Sequence, residues 1–194
     1  MKTCDFHILL AEIIKRLDKD ALSIANSRQN ANFTSTIKQI FLDIGKQFPY
    51  NCNVCLGGTY RTPDGQYNDP QWLYDITWVK QSNPKDIIVD LPLILESEND
   101  GREDKILIDF QKLIQSRAKF KIMIYKAWNA DANIKLIREF IRQIEHPLFE
   151  PIGDRYLFVC HFFNQGKFEY RVYTRTNLKG NYGQKIRKFR SVKN

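Results

Sequence analysis

Two short apolar stretches carry acids where a buried strand carries none. Trp72-Leu73-Tyr74-Asp75-Ile76-Thr77-Trp78 holds Asp75, and Pro92-Leu93-Ile94-Leu95-Glu96-Ser97-Glu98 holds Glu96 and Glu98. In a strand, side chains at i and i+2 share a face, roughly 7 Å apart along the chain. Glu96 and Glu98 therefore share a face, and a neighbouring strand can bring Asp75 beside them. Three converging carboxylates repel one another unless a divalent cation sits between them. The chemistry in view is a magnesium-type site. A plainer reading takes the same residues as solvated acids at strand ends, because Glu98-Asn99-Asp100-Gly101 reads as a turn beginning just there.

The elements that must position these acids follow from periodicity. Residues 5–25 place Phe6, Leu9, Leu10, Ile13, Ile14 and Leu17 at helical spacing. Residues 26–33 are polar and read as a loop, with Thr34 or Ser35 capping a second helix. Its buried stripe is Ile37, Ile40, Phe41, Ile44 and Phe48, weakened by Gly45 and stopped by Pro49. A short strand is expected within Tyr50–Leu56. The acid-bearing stretches become strands 72–81 and 87–97, joined through Asn83-Pro84-Lys85 as an antiparallel hairpin. Asp75 and Glu96 are equidistant from that turn, so a symmetric hairpin sets them opposite each other, give or take a residue.

Residues 103–118 read as a helix and 120–128 as a strand apolar on both faces. Strand, helix and apolar strand argue for a right-handed crossover with parallel pairing. A helix over 130–145 follows, with Ile134, Ile137, Phe140, Ile141 and Ile144 inward. Tyr156–Phe163 is a buried strand, and 168–173 alternates as a half-exposed one. The sum is a single α/β domain over 1–174, a mixed sheet flanked by helices, and a basic tail over 175–194.

The chain has 194 residues, 43% apolar, with a net charge of +8. Seven basic residues and no acid lie from Arg175 onward, leaving 23 basic against 22 acidic residues elsewhere. Lys185, Arg187, Lys188 and Arg190, interleaved with Phe189 and Tyr182, can neutralise phosphates and stack on a base. The alternative is a solubilising tail. The start of the chain reads as an amphipathic helix rather than a signal peptide, and no stretch approaches a membrane span, so a cytoplasmic address is expected. Cys52-Asn53-Val54-Cys55 is a lone C-x-x-C, and Cys4 and Cys160 are isolated, so neither zinc nor disulfides are expected. His7, His146 and His161 lack partners at ligand spacing, and His161 reads as a core residue. There is no nucleophile elbow, dinucleotide fingerprint or H-E-x-x-H motif.

A helix, a strand bearing Asp75, a strand bearing Glu96-Ser97-Glu98, a helix and a further strand together resemble the PD-(D/E)XK nuclease superfamily, the restriction-endonuclease-like fold. The resemblance covers roughly Thr34 to Trp128. It implies that Asp75 and Glu96 bind Mg²⁺ or Mn²⁺, with the Ser97 carbonyl as a further ligand. Glu98 stands where Lys is usual. Some relatives use Glu there, and in others the lysine lies on the next helix, where Lys112 in Asp109-Phe110-Gln111-Lys112-Leu113 takes the part and Lys105 is a weaker candidate. Gln111 can face the same site, and Asp43 or Glu12 can supply a further acid. Glu98 or Lys112 would orient or deprotonate the attacking water, or a lysine would steady charge on the phosphate. The plainer reading of Lys112 is a solvated lysine on the outer side of its helix.

The resemblance thus implies a metal-dependent DNA endonuclease, working as a dimer where both strands are cut. Two other readings remain: an inactive nucleic-acid-binding protein on the same fold, or an interaction subunit of a mobile-element or defence complex.

Overall fold

The computed structural model describes residues 6–21, 30–47, 52–57, 73–82, 87–146, 153–162, 165–175 and 187–189. The fold is of the α/β class. It divides into two compact units, Met1–Pro92 and Leu93–Arg190.

In the first unit, α1 (Phe6–Arg16) runs into a π-helical turn, Leu17–Ala21, within the stretch 5–25 expected to be one helix, of which residues 22–25 lie outside the described residues. Leu9, Leu10, Ile13 and Leu17 are buried as the spacing requires. The second helix, α2 (Asn30–Gln47), begins four residues before the expected cap at Thr34. Phe33 explains the extra turn: it stands four residues before Ile37, extends the buried stripe and is itself buried. Burying one such side chain contributes about 1.5–3 kcal/mol.

Two strands pair within this unit. β1 (Asn53–Leu56) pairs antiparallel with β2 (Ile76–Gln81), from Asn53 opposite Val79 to Leu56 opposite Ile76. The strand expected over 72–81 therefore starts at Ile76, and Leu73–Asp75 bend into it. Gly45 has a packing role rather than a merely weakening one. A Cβ there would lie 2.5 Å from Val54 Cγ2 and 3.1 Å from Trp78 Cε2, so glycine lets α2 approach both strands closely.

The second unit begins within β3 (Ile88–Glu98) and continues with α3 (Glu103–Gln115), β4 (Phe120–Ala127), α4 (Ala130–Ile144), β5 (Arg155–Phe162), β6 (Lys167–Thr174) and β7 (Arg187–Phe189). Leu93–Glu98 pair parallel with Phe120–Tyr125, the arrangement expected from the strand–helix–strand order. β4 and β5 are also parallel, whereas β5–β6 and β6–β7 are antiparallel. The sheet is mixed.

Adjacent register partners point to the same face of a sheet. One face of this unit carries Glu96, Met123 and Phe158 in a row, with Tyr125 and Tyr156 on the rows beside it. Both helices pack there. Phe110 of α3 lies 4.1 Å from Phe140 of α4, centroid to centroid, and Phe140 lies 5.2 Å from Phe158 and 5.4 Å from Tyr125. On α4 the inward residues are Asn133, Leu136, Ile137, Phe140, Ile141 and Ile144. Ile134, expected inward, is 38% exposed. Asn133 takes the inward place because it is hydrogen-bonded on both sides: it accepts from Tyr125 Oη (2.6 Å) and donates to Glu169 (3.3 Å).

β4 is not purely apolar. Lys121 and Lys126 are both buried in it. Lys121 is fully enclosed, ion-paired with Asp154 and 3.4 Å from Tyr156 Oη, and burial lowers its pKa despite Asp154. Lys126 lies opposite His161 of β5, and burial lowers its pKa as well.

Candidate functional site

Glu96 sits four residues into the parallel ladder of the second unit, on the face covered by α3 and α4. Its side chain is 4% exposed. A buried carboxylate is costly unless it is paired and hydrogen-bonded, and α3 supplies the partner. This helix opens with Glu103 and Asp104 in its first turn, favourable at the positive end of the helix dipole, and buries Ile106, Phe110, Leu113 and Ile114. Lys112 flanks that stripe. Its stem can lie along apolar surface while its ammonium reaches the carboxylate.

Lys112 Nζ lies 2.8 Å from Glu96 Oε1 and 2.7 Å from Asp109 Oδ1. Burial alone would lower the pKa of Lys112. The hydrogen bonds it donates to Asp109 and Glu96, and their charges, outweigh that effect and hold it above the ordinary lysine range. The ammonium thus stands between two carboxylates as a paired positive charge. It is also not the solvated lysine of the plainer reading.

The Glu98 carboxylate, on the same face as Glu96, makes a contact of its own. Glu98 Oε1 accepts a hydrogen bond from the Asp100 backbone N–H at 2.7 Å, and Gly101 adopts φ 79°. The turn expected at 98–101 is present, and the Glu98 carboxylate closes it. Lys105 pairs with Asp100 at 2.8 Å, as does Arg102, and these two donors pull the Asp100 pKa down to about 2. Lys105 is thus committed to the turn. Gln111 is exposed on the outer side of α3. Ser97 is half-buried within the ladder, opposite Ile124.

Asp75 belongs to the first unit, at the entry to β2 rather than inside it. Lys38 of α2 reaches it, with Nζ 3.2 Å from Asp75 Oδ1. The same ammonium donates to the Gly57 carbonyl at 2.6 Å, and the Gly57 N–H donates to the Asp75 backbone carbonyl at 3.0 Å. Lys38, Gly57 and Asp75 thus form a closed set at the end of the β1–β2 ladder. Asp43, further along α2, accepts from Gln39 at 2.8 Å, and Glu12 pairs with Arg16 at 3.6 Å.

Lys38 and Asp109 were not singled out from the sequence. A signal existed for each. Lys38 stands between Ile37 and the Ile40-Phe41 pair, a cation inside an apolar stripe, where only a buried partner makes it tolerable. Asp109 is three residues before Lys112, neighbouring positions on a helix.

The turn of the expected hairpin, Asn83-Pro84-Lys85, lies outside the described residues, as do Trp72, Cys4, Lys185 and Arg190. Arg187 and Lys188 lie in β7, where Lys188 pairs with Arg171 and Arg187 with Val172 in register. Part of the expected tail is therefore an edge strand. Cys52 and Cys160 are buried thiols and Cys55 is a half-buried one, and none of the three is in a disulfide.

Carboxylate oxygens suit a hard cation, and Mg²⁺ is commonly held by one or two carboxylates together with waters and substrate phosphates. Asp75 and Glu96 are of that chemistry, and each already faces a positive charge. Among the described residues, no group of three or more His, Cys, Asp or Glu side chains gathers to hold a metal. No described helix is long and apolar enough to cross a membrane. No family model matches the chain, and no curated protein matches it.

Proposed function

We propose that this protein is a Mg²⁺-dependent endonuclease of the restriction-endonuclease-like fold, hydrolysing phosphodiester bonds in DNA. One observation carries the reading: a buried acid on the second strand of the E-x-E pattern, Glu96, is met by a lysine from the following helix, Lys112, at 2.8 Å. That lysine stands in for the one missing at position 98. The parallel β3–α3–β4 arrangement supports the same reading.

In this account Glu96 and the Ser97 carbonyl are ligands of the cation, and Asp75 is a further ligand by its place in the family pattern. The cation would activate water and draw off charge from the phosphate. Lys112 stays protonated and steadies the negative charge that develops on the phosphate oxygens. Asp109 holds the Lys112 ammonium in place. Glu98, half-buried beside the turn, orients the attacking water. The basic residues Lys185, Arg187, Lys188 and Arg190 engage the DNA backbone, and a dimer would present two sites to two strands.

A specific observation favours a second reading. Asp75 and Glu96 both carry lysine partners, and no three-ligand group forms among the described residues. An inactive protein that binds nucleic acid without cutting it would retain such pairs as structural ones.

Thermal melting in the presence of Mn²⁺ or Ca²⁺ separates the two. An ion that binds only the folded chain raises Tm with its concentration. The endonuclease reading expects a rise that Asp75→Asn together with Glu96→Gln abolishes. A rise that survives the double change would remove these residues from the metal site.

A further inference from the structure

We infer that Lys38 is a built-in counter-ion that competes with the divalent cation for Asp75; the inference rests on the proposed role of Asp75 as a metal ligand and adds a residue that the family pattern does not supply. Three features of the first unit lead to it. The Lys38 side chain is 5% exposed, so its charge is less screened by water than that of a surface lysine. Its ammonium lies 3.2 Å from Asp75 Oδ1, an ion pair with the oxygen that a cation would also use. The ammonium is also fixed from the other side, because it donates to the Gly57 carbonyl at 2.6 Å while the Gly57 N–H is tied to the Asp75 carbonyl.

The consequence is electrostatic. A carboxylate that already holds a positive charge binds a second one less tightly, and the lysine cannot withdraw without leaving the Gly57 carbonyl unpaired. Lys38 thus sets the cation concentration at which the site fills. It is a positioning residue, acting through Asp75.

The sign of this effect differs from that of a structural residue. Removing a merely structural lysine loosens Asp75 and weakens metal binding. Removing a competing charge tightens it. Lys38→Gln drops the charge while keeping a donor for the Gly57 carbonyl, and Lys38→Arg keeps the charge. Mn²⁺ binding to the full-length chain, measured by titration calorimetry, reads the difference.

The expected result is half-saturation at about tenfold lower Mn²⁺ in Lys38→Gln, with Lys38→Arg close to wild type. Unchanged or weaker binding in Lys38→Gln, while wild-type binding still depends on Asp75, overturns the inference and leaves the metal site standing. Wild-type binding that Asp75→Asn does not alter, or no binding at all, overturns both the inference and the role of Asp75. A second readout leaves Lys38 unchanged. Its ammonium nitrogen signal in the NMR spectrum of the wild-type chain should move as Ca²⁺ fills the site and stay fixed in Asp75→Asn. A signal that does not move at saturating Ca²⁺ in the wild type contradicts the inference.

Discussion

In the proposed mechanism, Lys112 is the residue on which most of the chemistry turns. Its two carboxylate partners hold its pKa above the usual lysine range despite partial burial. The sign of the linkage follows. A group with a raised folded-state pKa contributes stability fully below its unfolded value, about 10.4 for lysine, and loses it only as pH rises through the folded value. Lys112 therefore adds no limb to a pH profile between about pH 6 and 10, where it stays protonated throughout. Lys112→Met removes the fixed charge and is expected to lower kcat about a hundredfold, by analogy with the loss of one preorganised donor. A pH–rate profile with a single acidic limb in the wild type, and the same limb at a much lower rate in Lys112→Met, is the predicted outcome. A basic limb below pH 10 that disappears in Lys112→Met would make this lysine a base after all.

At the scale of elements, periodicity put Lys112 on a helix after the acid-bearing strand, and only the family resemblance made it a candidate for the site. Strand β3, helix α3 and strand β4 appear where apolar spacing put them, as does the parallel pairing. What was not legible were contacts that depend on tertiary partners. Asn133 is polar, so periodicity passed it over in favour of Ile134, yet Tyr125 and Glu169 make it the inward residue. Phe33 lay in a polar stretch, and its burial adds a turn to α2. Lys121 and Lys126 sat in a strand read as apolar, and the ion pair with Asp154 and the Tyr156 hydroxyl explain how the first can be enclosed.

The same strands carry a pH-dependent element. His161 on β5 is buried, edge-on to Phe168 at 5.5 Å, and burial, with the adjacent Lys126 charge, lowers its pKa to about 4. A depressed folded value means stability is present above the unfolded pKa near 6.5 and is lost as pH falls towards 4. Over that window the loss approaches about 3 kcal/mol. Urea unfolding of wild type and His161→Gln at pH 7 and pH 4.5 should show a smaller drop in the variant. Equal drops would place the acid sensitivity elsewhere.

Across the whole molecule, charge is the property the sequence states most directly. The body is nearly neutral and the last twenty residues hold almost all of the excess. What the sequence did not state is that Arg187–Phe189 would pair as a strand with Tyr170–Val172, since three residues are too few to show alternation. If Lys185, Arg187, Lys188 and Arg190 engage phosphates, replacing all four with Ala should flatten the plot of log binding constant against log salt by about 0.9 for each phosphate that is no longer neutralised. Filter binding of a duplex across a range of salt gives that slope. An unchanged slope would take these residues out of the interface.

Cleavage of supercoiled plasmid in Mg²⁺ or Mn²⁺, wild type beside Glu96→Gln, tests the central claim most directly. The account predicts nicked or linear plasmid with the wild-type chain and a loss of at least about a hundredfold in the variant. Salt-dependent binding to DNA with no cleavage by the wild type, or cleavage that Glu96→Gln leaves intact, would contradict it.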